Sequence, residues 1–573
     1  MKYEVLFLHP PAIYDFRKKV VFPGGVARTV PFSTSQFLTI PIGFLSMAEY
    51  LERHGFKTKI YNLGEAMLVN RYFEVESFLK KEEAKIYALD LHWCIHVQGA
   101  IELAKLCKQL KPSSKILLGG LTASCFHSEI IEKFKFIDYV IRGEGEKPLL
   151  QLLNVRNRNL ERVPNLTYRT SNGRIKINPM EKPCETLDEF DFTRLDLVEP
   201  CSLLIDRSLG GITKKWWCIP FCRGCIYNCV GCGASAYSYS KMFNRQKPAF
   251  RSPEKIAEDI EKLRQQGINL ISIFQDPRMG GKSYVEKLIS TLRKEKIDLD
   301  GMDMELFSPA SEEYLKSLSS IGVPLALTIS PESGVESVRS AHGRRYSNSE
   351  ILRTAELCQK YNIDLGIFFM LALGEETKES LRQTYDFWEK LYQMNFNSHL
   401  KGICTSMVKP EFGFMLLLDP GSLAFDFPEE YGYKLFFQNV EDYYIAMSQP
   451  SWHLWLSYET KCLGKKEILT LILQSLERRL ELEEKYRIFD HPSENASIVF
   501  ERFKIKAWHA IAEKVDEILN ISNQAERLLA LEEIFGEYLT LDRAPKIEIG
   551  DRFGYRQLFE AIAFESMGLM SGA

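Results

Sequence analysis

Cys218-Ile-Pro-Phe-Cys222-Arg-Gly-Cys225-Ile-Tyr-Asn-Cys229-Val-Gly-Cys232-Gly233 is the segment on which the reading of this chain turns. Five of the 13 cysteines lie here, and the other eight are scattered singly, as small buried hydrophobes would be. The chain is large, and its first apolar run, Val5-Leu6-Phe7-Leu8, reads as a buried strand entering the loop His9-Pro10-Pro11. With no export signal read there, a disulfide framework is not expected, and clustered thiols point to a metal. Cys222/Cys225 and Cys229/Cys232 form two C-x-x-C pairs, as in a structural zinc site. Zinc ribbons, however, place about 15–20 residues between such pairs, and only three intervene here. Ferredoxin-type carriers also pack cysteines tightly, but proline usually follows the last ligand, where this chain has Gly233. The spacing C-x-x-x-C-x-x-C is the third arrangement, and it occurs twice, as Cys218/Cys222/Cys225 and as Cys225/Cys229/Cys232.

Around this segment runs a series of βα units. Strands are expected at Thr213–Trp217, Leu270–Phe274, Asp303–Phe307, Pro324–Ser330, Asp364–Leu371 and His399–Met407. Helices separate them, among them Pro253–Gln266, which opens on proline after Ser252, Tyr284–Lys294 and Ser349–Tyr361. Six such units fall short of the eight that close a barrel, so residues 212–410 are expected as a partial (β/α)6 barrel.

Upstream, residues 1–153 alternate in the same way, with strands at Tyr3–Leu8, Lys57–Tyr61, Ile86–Leu91, Lys115–Leu118 and Asp138–Ile141 and helices such as Phe44–His54 and Val97–Leu110. This pattern predicts a doubly wound parallel sheet with ligands at the carboxyl ends of its strands. Residues 154–211 are less regular, with Ser171-Asn172-Gly173 as a hairpin turn and an acidic stretch near Asp188–Asp191, and read as a connector. Residues 411–573 change to long helices: Leu469, Ile472, Leu473, Leu476 and Leu480 form one apolar stripe, and Phe500, Phe503, Trp508, Ile511 and Val515 another. The aromatic segment from Phe436 to Tyr458, with Trp452 and Trp455, reads as core packing.

The chain's 573 residues exceed one core. A net charge of −3 gives no basic excess for nucleic acid. The longest apolar stretch, Ile367 to Leu373, falls well short of the roughly 20 residues that span a bilayer. A cytoplasmic protein is expected.

The cysteine loop after the first strand of a partial barrel resembles the radical S-adenosylmethionine superfamily. The resemblance implies a [4Fe–4S] cluster on three thiolates, with S-adenosylmethionine on the fourth iron. One electron, from an external donor such as a flavodoxin or ferredoxin, then yields a 5′-deoxyadenosyl radical. The second set of cysteines follows Arg223-Gly224 and precedes Gly233-Ala234-Ser235, as in family members, so Cys225, Cys229 and Cys232 are the expected metal ligands. Gly231 departs from the aromatic often found before the last cysteine. Cys218 and Cys222 are expected as buried strand-end thiols. The same resemblance places S-adenosylmethionine near Asp276, Ser330, Glu332 and Gly374, the last in Phe369-Met-Leu-Ala-Leu-Gly-Glu-Glu-Thr377, which resembles FMLGLPGET. A helix cap or turn is the alternative role for each.

A doubly wound domain ahead of such a barrel resembles the cobalamin-dependent branch, through Leu8-His9-Pro10-Pro11, Ile40-Pro-Ile-Gly-Phe44, Leu118-Gly-Gly-Leu-Thr122 and Arg142-Gly-Glu-Gly-Glu146. The implied cobalamin-binding set is Pro10, Pro11, Gly43, Trp93, Gly119, Gly120, Thr122, Gly143, Glu144 and Gly145, glycine-rich strand ends that let backbone approach a flat corrin. The D-x-H-x-x-G motif is absent, since Ile95 follows Asp90-Leu-His92 where glycine belongs. No histidine is therefore expected on cobalt, and His92 and His96 are expected as a partly buried surface pair. Members of this branch most often methylate an unactivated carbon or phosphorus, which implies a methyltransferase acting on a small molecule, lipid or peptide; the sequence names no catalytic residue. Rearrangement, cyclisation or carbon–carbon coupling without methyl transfer is the alternative, and a non-catalytic iron–sulfur redox or sensor protein is the alternative of another class. Methyl transfer further requires the strand ends of the two domains to face each other, which is expected to bring Trp93, Gly120 and Gly143 opposite Cys225, Glu332 and the loop after Leu373 across one cavity closed by part of the helical C-terminal region.

Overall fold

The computed structural model describes residues 2–22, 40–70, 72–155, 159–201, 206–209, 212–400, 406–415, 418–486, 502, 505 and 510–541. Its first sheet holds β1 (Tyr3–His9), β2 (Thr58–Asn62), β3 (Ala84–Asp90), β4 (Lys115–Gly119), β5 (Tyr139–Ile141), β6 (Leu166–Arg169), β7 (Ile175–Ile177) and β8 (Val198–Glu199). The order is β7-β6-β5-β4-β3-β1-β2-β8, parallel except where β6 and β7 turn antiparallel. The chain therefore reverses direction across the sheet between β1 and β3, the switch point at which such folds bind ligands. Alternate residues of β1 serve two cores. Val5 and Phe7 pack with helix Gly43–Arg53, while Leu6 and Leu8 pack with helix Val97–Leu110. A strand covered on both faces has no polar side, which is why Val5 to Leu8 is an unbroken apolar run. The segment 154–211, expected as a connector, extends this sheet at both edges through β6, β7 and β8.

The second sheet has the order β17-β16-β15-β14-β13-β10-β9, with β9 (Asp206–Leu209), β10 (Ile212–Pro220), β13 (Leu270–Phe274), β14 (Gly301–Leu306), β15 (Leu325–Glu332), β16 (Asp364–Leu371) and β17 (Val408–Met415). β10 and β13 to β17 are parallel, and β9 is an antiparallel flap on β10. Between them β11 (Cys222–Arg223) pairs with β12 (Ala249–Phe250). This is the expected six-stranded partial barrel, with one displacement. The sixth strand, expected at His399–Met407, forms at Val408–Met415, because helix Lys378–Leu400 runs to Leu400; residues 401–405 lie outside the described set. Pro410 hides this strand from a propensity reading, but β17 is an edge strand, where proline costs no ladder bond.

One apolar core joins the two sheets, running from Val5 and Phe7 through Trp217 and Ile219 to Ile271 and Ile329. Helix Lys465–Lys485 adds Ile472, Leu473, Leu476 and Leu480 to it, with Leu469 at its margin. Near it, β18 (Tyr433–Leu435) pairs with β19 (Tyr458–Thr460). Tyr443, Trp452, Trp455 and Tyr458 are buried as core. Phe500, Phe503 and Trp508 lie outside the described residues; Ile511 and Val515 pack with Phe22, Leu531 and Ile534. Among the described residues no helix is long and apolar enough to cross a membrane.

Candidate functional site

The cysteine loop leaves β11 and is held by backbone. Val230 N–H donates to the His342 carbonyl at 3.3 Å, Gly233 N–H to Asp419 Oδ2 at 2.9 Å, and Ala424 N–H to the Val230 carbonyl at 2.9 Å. Helix Ala236–Phe243 then starts under a Ser235 cap. Two sulfurs already accept main-chain donors, Cys225 from Tyr227 N–H at 3.4 Å and Cys232 from Ala234 N–H at 3.3 Å. Burial pushes the Cys225, Cys229 and Cys232 thiols up, and the Arg344 guanidinium opposes this at Cys229. Three thiols on one loop, amide donors on sulfur and a buried cation alongside make a donor set that fits an anionic iron–sulfur cluster. Cys222 is engaged elsewhere: its thiol, 3% exposed, donates to Gln275 Oε1 at 2.6 Å. Cys218 is buried within β10, opposite Ser272 of β13.

At the carboxyl ends of the barrel strands the four residues expected near S-adenosylmethionine separate. Asp276 accepts from Phe307 N–H at 2.8 Å and from Arg278 N–H and Nε at 2.9 Å, so its carboxylate ties the loop after β13 to the end of β14. A Cβ on Gly374 would lie 1.8 Å from the Tyr431 carbonyl oxygen, so this glycine admits the chain's own backbone. Glu332 has φ 68°, a left-handed conformation rare for glutamate. Burial favours its protonation, but Arg344 Nε at 2.8 Å and His342 Nδ1 at 3.3 Å prevail and hold its carboxyl at about 2. His342 Nε2 in turn meets the Tyr433 hydroxyl at 2.8 Å. Ser330, two residues earlier on β15, is partly exposed, whereas both Glu332 oxygens already have partners.

Between the domains lies a cavity of about 620 Å³. Its front-domain wall includes Gly43, Trp93, Gly119, Gly120 and the turn Gly143-Glu144-Gly145; its barrel wall includes Trp216, Cys218, Cys222, Gln275 and Glu305. Seven of the ten residues expected around cobalamin are here, and Pro10, Pro11 and Thr122 are not. Thr122 instead donates its hydroxyl to the His92 carbonyl at 3.0 Å. Some of the seven also serve the fold. Gly120 has φ 114°, and a Cβ there would stand 2.6 Å from His92 Cα, so two strand-end loops touch only because it is glycine. Glu144 accepts from Arg245 Nε at 2.8 Å, and Glu146 from Arg223 at 2.7 Å and the Ser46 hydroxyl at 2.6 Å. Gly43, by contrast, has nothing within 4 Å of its Cβ position. Open backbone, aromatic Trp93 and apolar Phe44 and Met47 suit a broad flat macrocycle.

The expected facing of Trp93, Gly120 and Gly143 toward the barrel holds, but the residues they meet differ. Glu305 and Gln275 line the cavity; Cys225, Glu332, the loop after Leu373 and the C-terminal region do not. Glu305 accepts the Gln275 N–H at 2.5 Å, and burial pushes its carboxyl up. His92 also lines the cavity, packed edge-on against Trp93 with ring centroids 4.5 Å apart. Burial holds its imidazole at about 4, hence neutral. His96 is not a surface partner of His92: it is fully buried beside Asp90, because its one-turn 3-10 helix, Cys94–His96, folds inward under the sheet edge. Arg223, Arg245, Arg344 and Glu305 went unread in the sequence. Arg223 was visible only as a flank of the cysteine motif, since its partner stands 77 residues away.

Residues 219–387 match the model of the radical SAM superfamily, and residues 28–153 match the model of the B12 binding domain. Among curated proteins, the chain is 22% identical over 312 residues to an anaerobic magnesium-protoporphyrin IX monomethyl ester cyclase of Rubrivivax gelatinosus, covering 52% of this chain and 53% of that protein. It is 21% identical over 355 residues to an uncharacterized methyltransferase of Pyrococcus horikoshii, covering 61% of this chain and 73% of that protein. The chain thus spans about half the length of the cyclase. Among the solved structures that share its fold, two are representative. One is the cobalamin-dependent S-adenosylmethionine radical enzyme OxsB with aqua-cobalamin and S-adenosylmethionine bound, at TM-score 0.60 and 14% identity over 100% of this chain and 79% of that one. The other is the radical S-adenosylmethionine methyltransferase TsrM of Kitasatospora setae, at TM-score 0.54 and 15% identity over 83% and 88%.

Proposed function

We propose that this chain, which belongs to the radical S-adenosylmethionine superfamily and carries a B12-binding domain ahead of its barrel, methylates an unactivated carbon of a substrate held between the two. The observation that carries this reading is the single cavity walled by Trp93, Gly120 and Gly143 on one side and Cys218, Gln275 and Glu305 on the other. A methyl group passes only between atoms about 3–3.5 Å apart, so donor and acceptor carbon must share one space.

When bound, the three cofactors supply a one-electron reductant, a carbon radical and a transferable methyl group. The chain's own residues do the rest. Cys225, Cys229 and Cys232 hold the cluster, with Tyr227 and Ala234 N–H groups on two of the sulfurs. Ser330 and Glu332 receive hydroxyl groups of S-adenosylmethionine, and the Arg344–Glu332–His342 network keeps that carboxylate ionised and fixed. Gly43, Trp93, Gly119, Gly120 and Gly143 border the corrin. Glu305 and Gln275 orient the substrate on the barrel side, and the largely apolar front wall excludes water. A flavodoxin- or ferredoxin-type protein delivers the electron. The described cysteines form no disulfide with one another, and a cytoplasmic setting is part of this proposal.

The cyclase relative favours a second reading, radical ring closure without methyl transfer. Product counting separates the two. Reduced, reconstituted enzyme with cobalamin, incubated with methyl-deuterated S-adenosylmethionine and a metabolite extract, should form S-adenosylhomocysteine and 5′-deoxyadenosine together and place the labelled methyl in a product. Deoxyadenosine alone, with no labelled product, would favour ring closure.

A further inference from the structure

The carboxyl ends of β1 and β3 bring together three side chains with no role in the scheme above. His9 ends β1, Asp90 ends β3, and His96 closes the single 3-10 turn that leads into helix Val97–Leu110. All three are at most 1% exposed. His9 Nδ1 lies 2.9 Å from Asp90 Oδ1 and His96 Nδ1 lies 3.3 Å from Asp90 Oδ2. One donor atom from each residue stands within 4.8 Å of the other two. We propose that His9, Asp90 and His96 form a binding site for a divalent first-row transition ion of the zinc type, placed at the switch point of the front domain.

The donor set selects the ion class. Two imidazole nitrogens and one carboxylate oxygen suit borderline cations such as zinc, whereas magnesium and calcium call for oxygen ligands throughout. Metal–ligand bonds of about 2.0–2.2 Å at tetrahedral angles put neighbouring ligand atoms roughly 3.3 Å apart; the two histidine–carboxylate separations, to different oxygens of Asp90, are 2.9 and 3.3 Å, and one ligand atom from each residue lies within 4.8 Å of the others. The site is also preorganised. β1 and β3 are paired in parallel, Leu8 opposite Leu89, which sets His9 and Asp90 side by side on adjacent strands. The His96 ring is wedged edge-on between the His9 ring at 5.1 Å and the Trp93 indole at 5.6 Å, so it needs no reordering to ligate. Access exists as well, since Asp90 lines the interdomain cavity beside His92 and Trp93. The ion would lock together the loops that follow β1 and β3, the two loops that diverge at the switch point.

The rival is a metal-free cluster in which Asp90 accepts Nδ1–H from both rings. The test must silence the cysteine loop, which itself takes up zinc. Full-length Cys225→Ala/Cys229→Ala/Cys232→Ala protein, prepared without cobalamin and equilibrated with zinc, should retain one zinc per chain after desalting. Its zinc absorption fine structure should show nitrogen and oxygen neighbours and no sulfur. Zinc should be lost on adding His96→Gln or Asp90→Asn. Chelator-stripped triple variant should gain thermal stability when zinc is restored, a readout that needs no further substitution. Background zinc in the triple variant, retention after His96→Gln and Asp90→Asn, sulfur neighbours, or a melting temperature indifferent to zinc would each overturn the site.

Discussion

Arg223→Met is the most informative single change, because Arg223 ties the cysteine loop to the front domain. Its guanidinium donates to Glu146 Oε1 at 2.7 Å and Oε2 at 3.2 Å, a bidentate pair, and lies 3.5 Å from Glu144. The side chains are 16% and 3% exposed, so the pair is largely buried. Removing one partner of a buried pair costs about 3–5 kcal/mol, mostly by stranding the other charge. Glu146 keeps the Ser46 hydroxyl and its place in the first turn of helix Glu146–Val155, where the macrodipole returns about 0.3–1 kcal/mol. Arg223→Met should therefore destabilise by about 3 kcal/mol. Adding Glu146→Gln removes the stranded charge, so the double variant should be about 1–2 kcal/mol better than Arg223→Met alone. The assay is urea unfolding of the metal-free full chain at neutral pH, with four proteins followed by tryptophan fluorescence and by far-ultraviolet circular dichroism. Coincident midpoints in the two signals license the energies. An Arg223→Met midpoint within error of the parent, or a double variant no better than the worse single, would refute the clamp.

Three further outcomes are expected. Cys225→Ala, Cys229→Ala or Cys232→Ala should each abolish the reduced-cluster paramagnetic signal and cleavage of S-adenosylmethionine, while Cys218→Ala and Cys222→Ala keep the signal; the opposite pattern at Cys218 and Cys232 would move the ligand set. Bound cobalamin should show a base-off absorption spectrum that His92→Ala leaves unchanged, since that imidazole is packed against Trp93; a spectral change would put His92 on cobalt. Glu376, 1% exposed, is raised to about 8 by burial, against which backbone N–H donors from Ala372 and Leu373 act. Its folded pKa exceeds the unfolded value of about 4.3, so its contribution is complete below pH 4 and fades as pH rises to 8, by about 4 kcal/mol over that window. Glu376→Gln should flatten the fall in melting temperature between pH 5 and 8, and parallel curves for parent and variant would disprove the assignment.

The parts of the fold that were readable share one cause. Strands such as Leu270–Phe274 and Asp364–Leu371 are apolar or alternating runs bounded by turns, so local pattern and final structure agree. The turn Ser171-Asn172-Gly173 was readable and does join the antiparallel pair β6 and β7, but these strands and β8 were not read as strands because four, three and two residues leave too few positions to mark a period. β17 was misplaced because Pro410 masks a strand that only its edge position permits. The cysteine loop was legible since its three thiols are close in sequence. The partners of the carboxylates were not: Asp276 accepts from Phe307 N–H 31 residues on, and Glu144 from Arg245 101 residues on. Gly374 was read as room for a cofactor, yet a Cβ there would meet the Tyr431 carbonyl, whereas Gly120 both lines the cavity and admits the His92 backbone.

That redistribution of charge has a consequence for the chemistry. The front-domain acids nearest the cavity, Glu144 and Glu146, are neutralised by Arg245 and Arg223, both supplied by the barrel side of the interface. On the front wall glycine and apolar side chains surround Asp90 and His92, while Glu305, Gln275 and the Cys222 thiol add polarity on the barrel wall. Under the proposed function, a substrate in this space would turn its polar end toward the barrel wall and its less polar carbon skeleton toward the front domain. An unactivated carbon is by nature the part with no handle of its own, so it can be aimed only by binding the molecule elsewhere. The same arms that neutralise Glu144 and Glu146 also fix the distance of the front wall from the cysteine loop, because Arg223 is two residues from Cys225. Orientation of the substrate and spacing of the two domains thus depend on the same interface, and a change that loosens one should disturb the other.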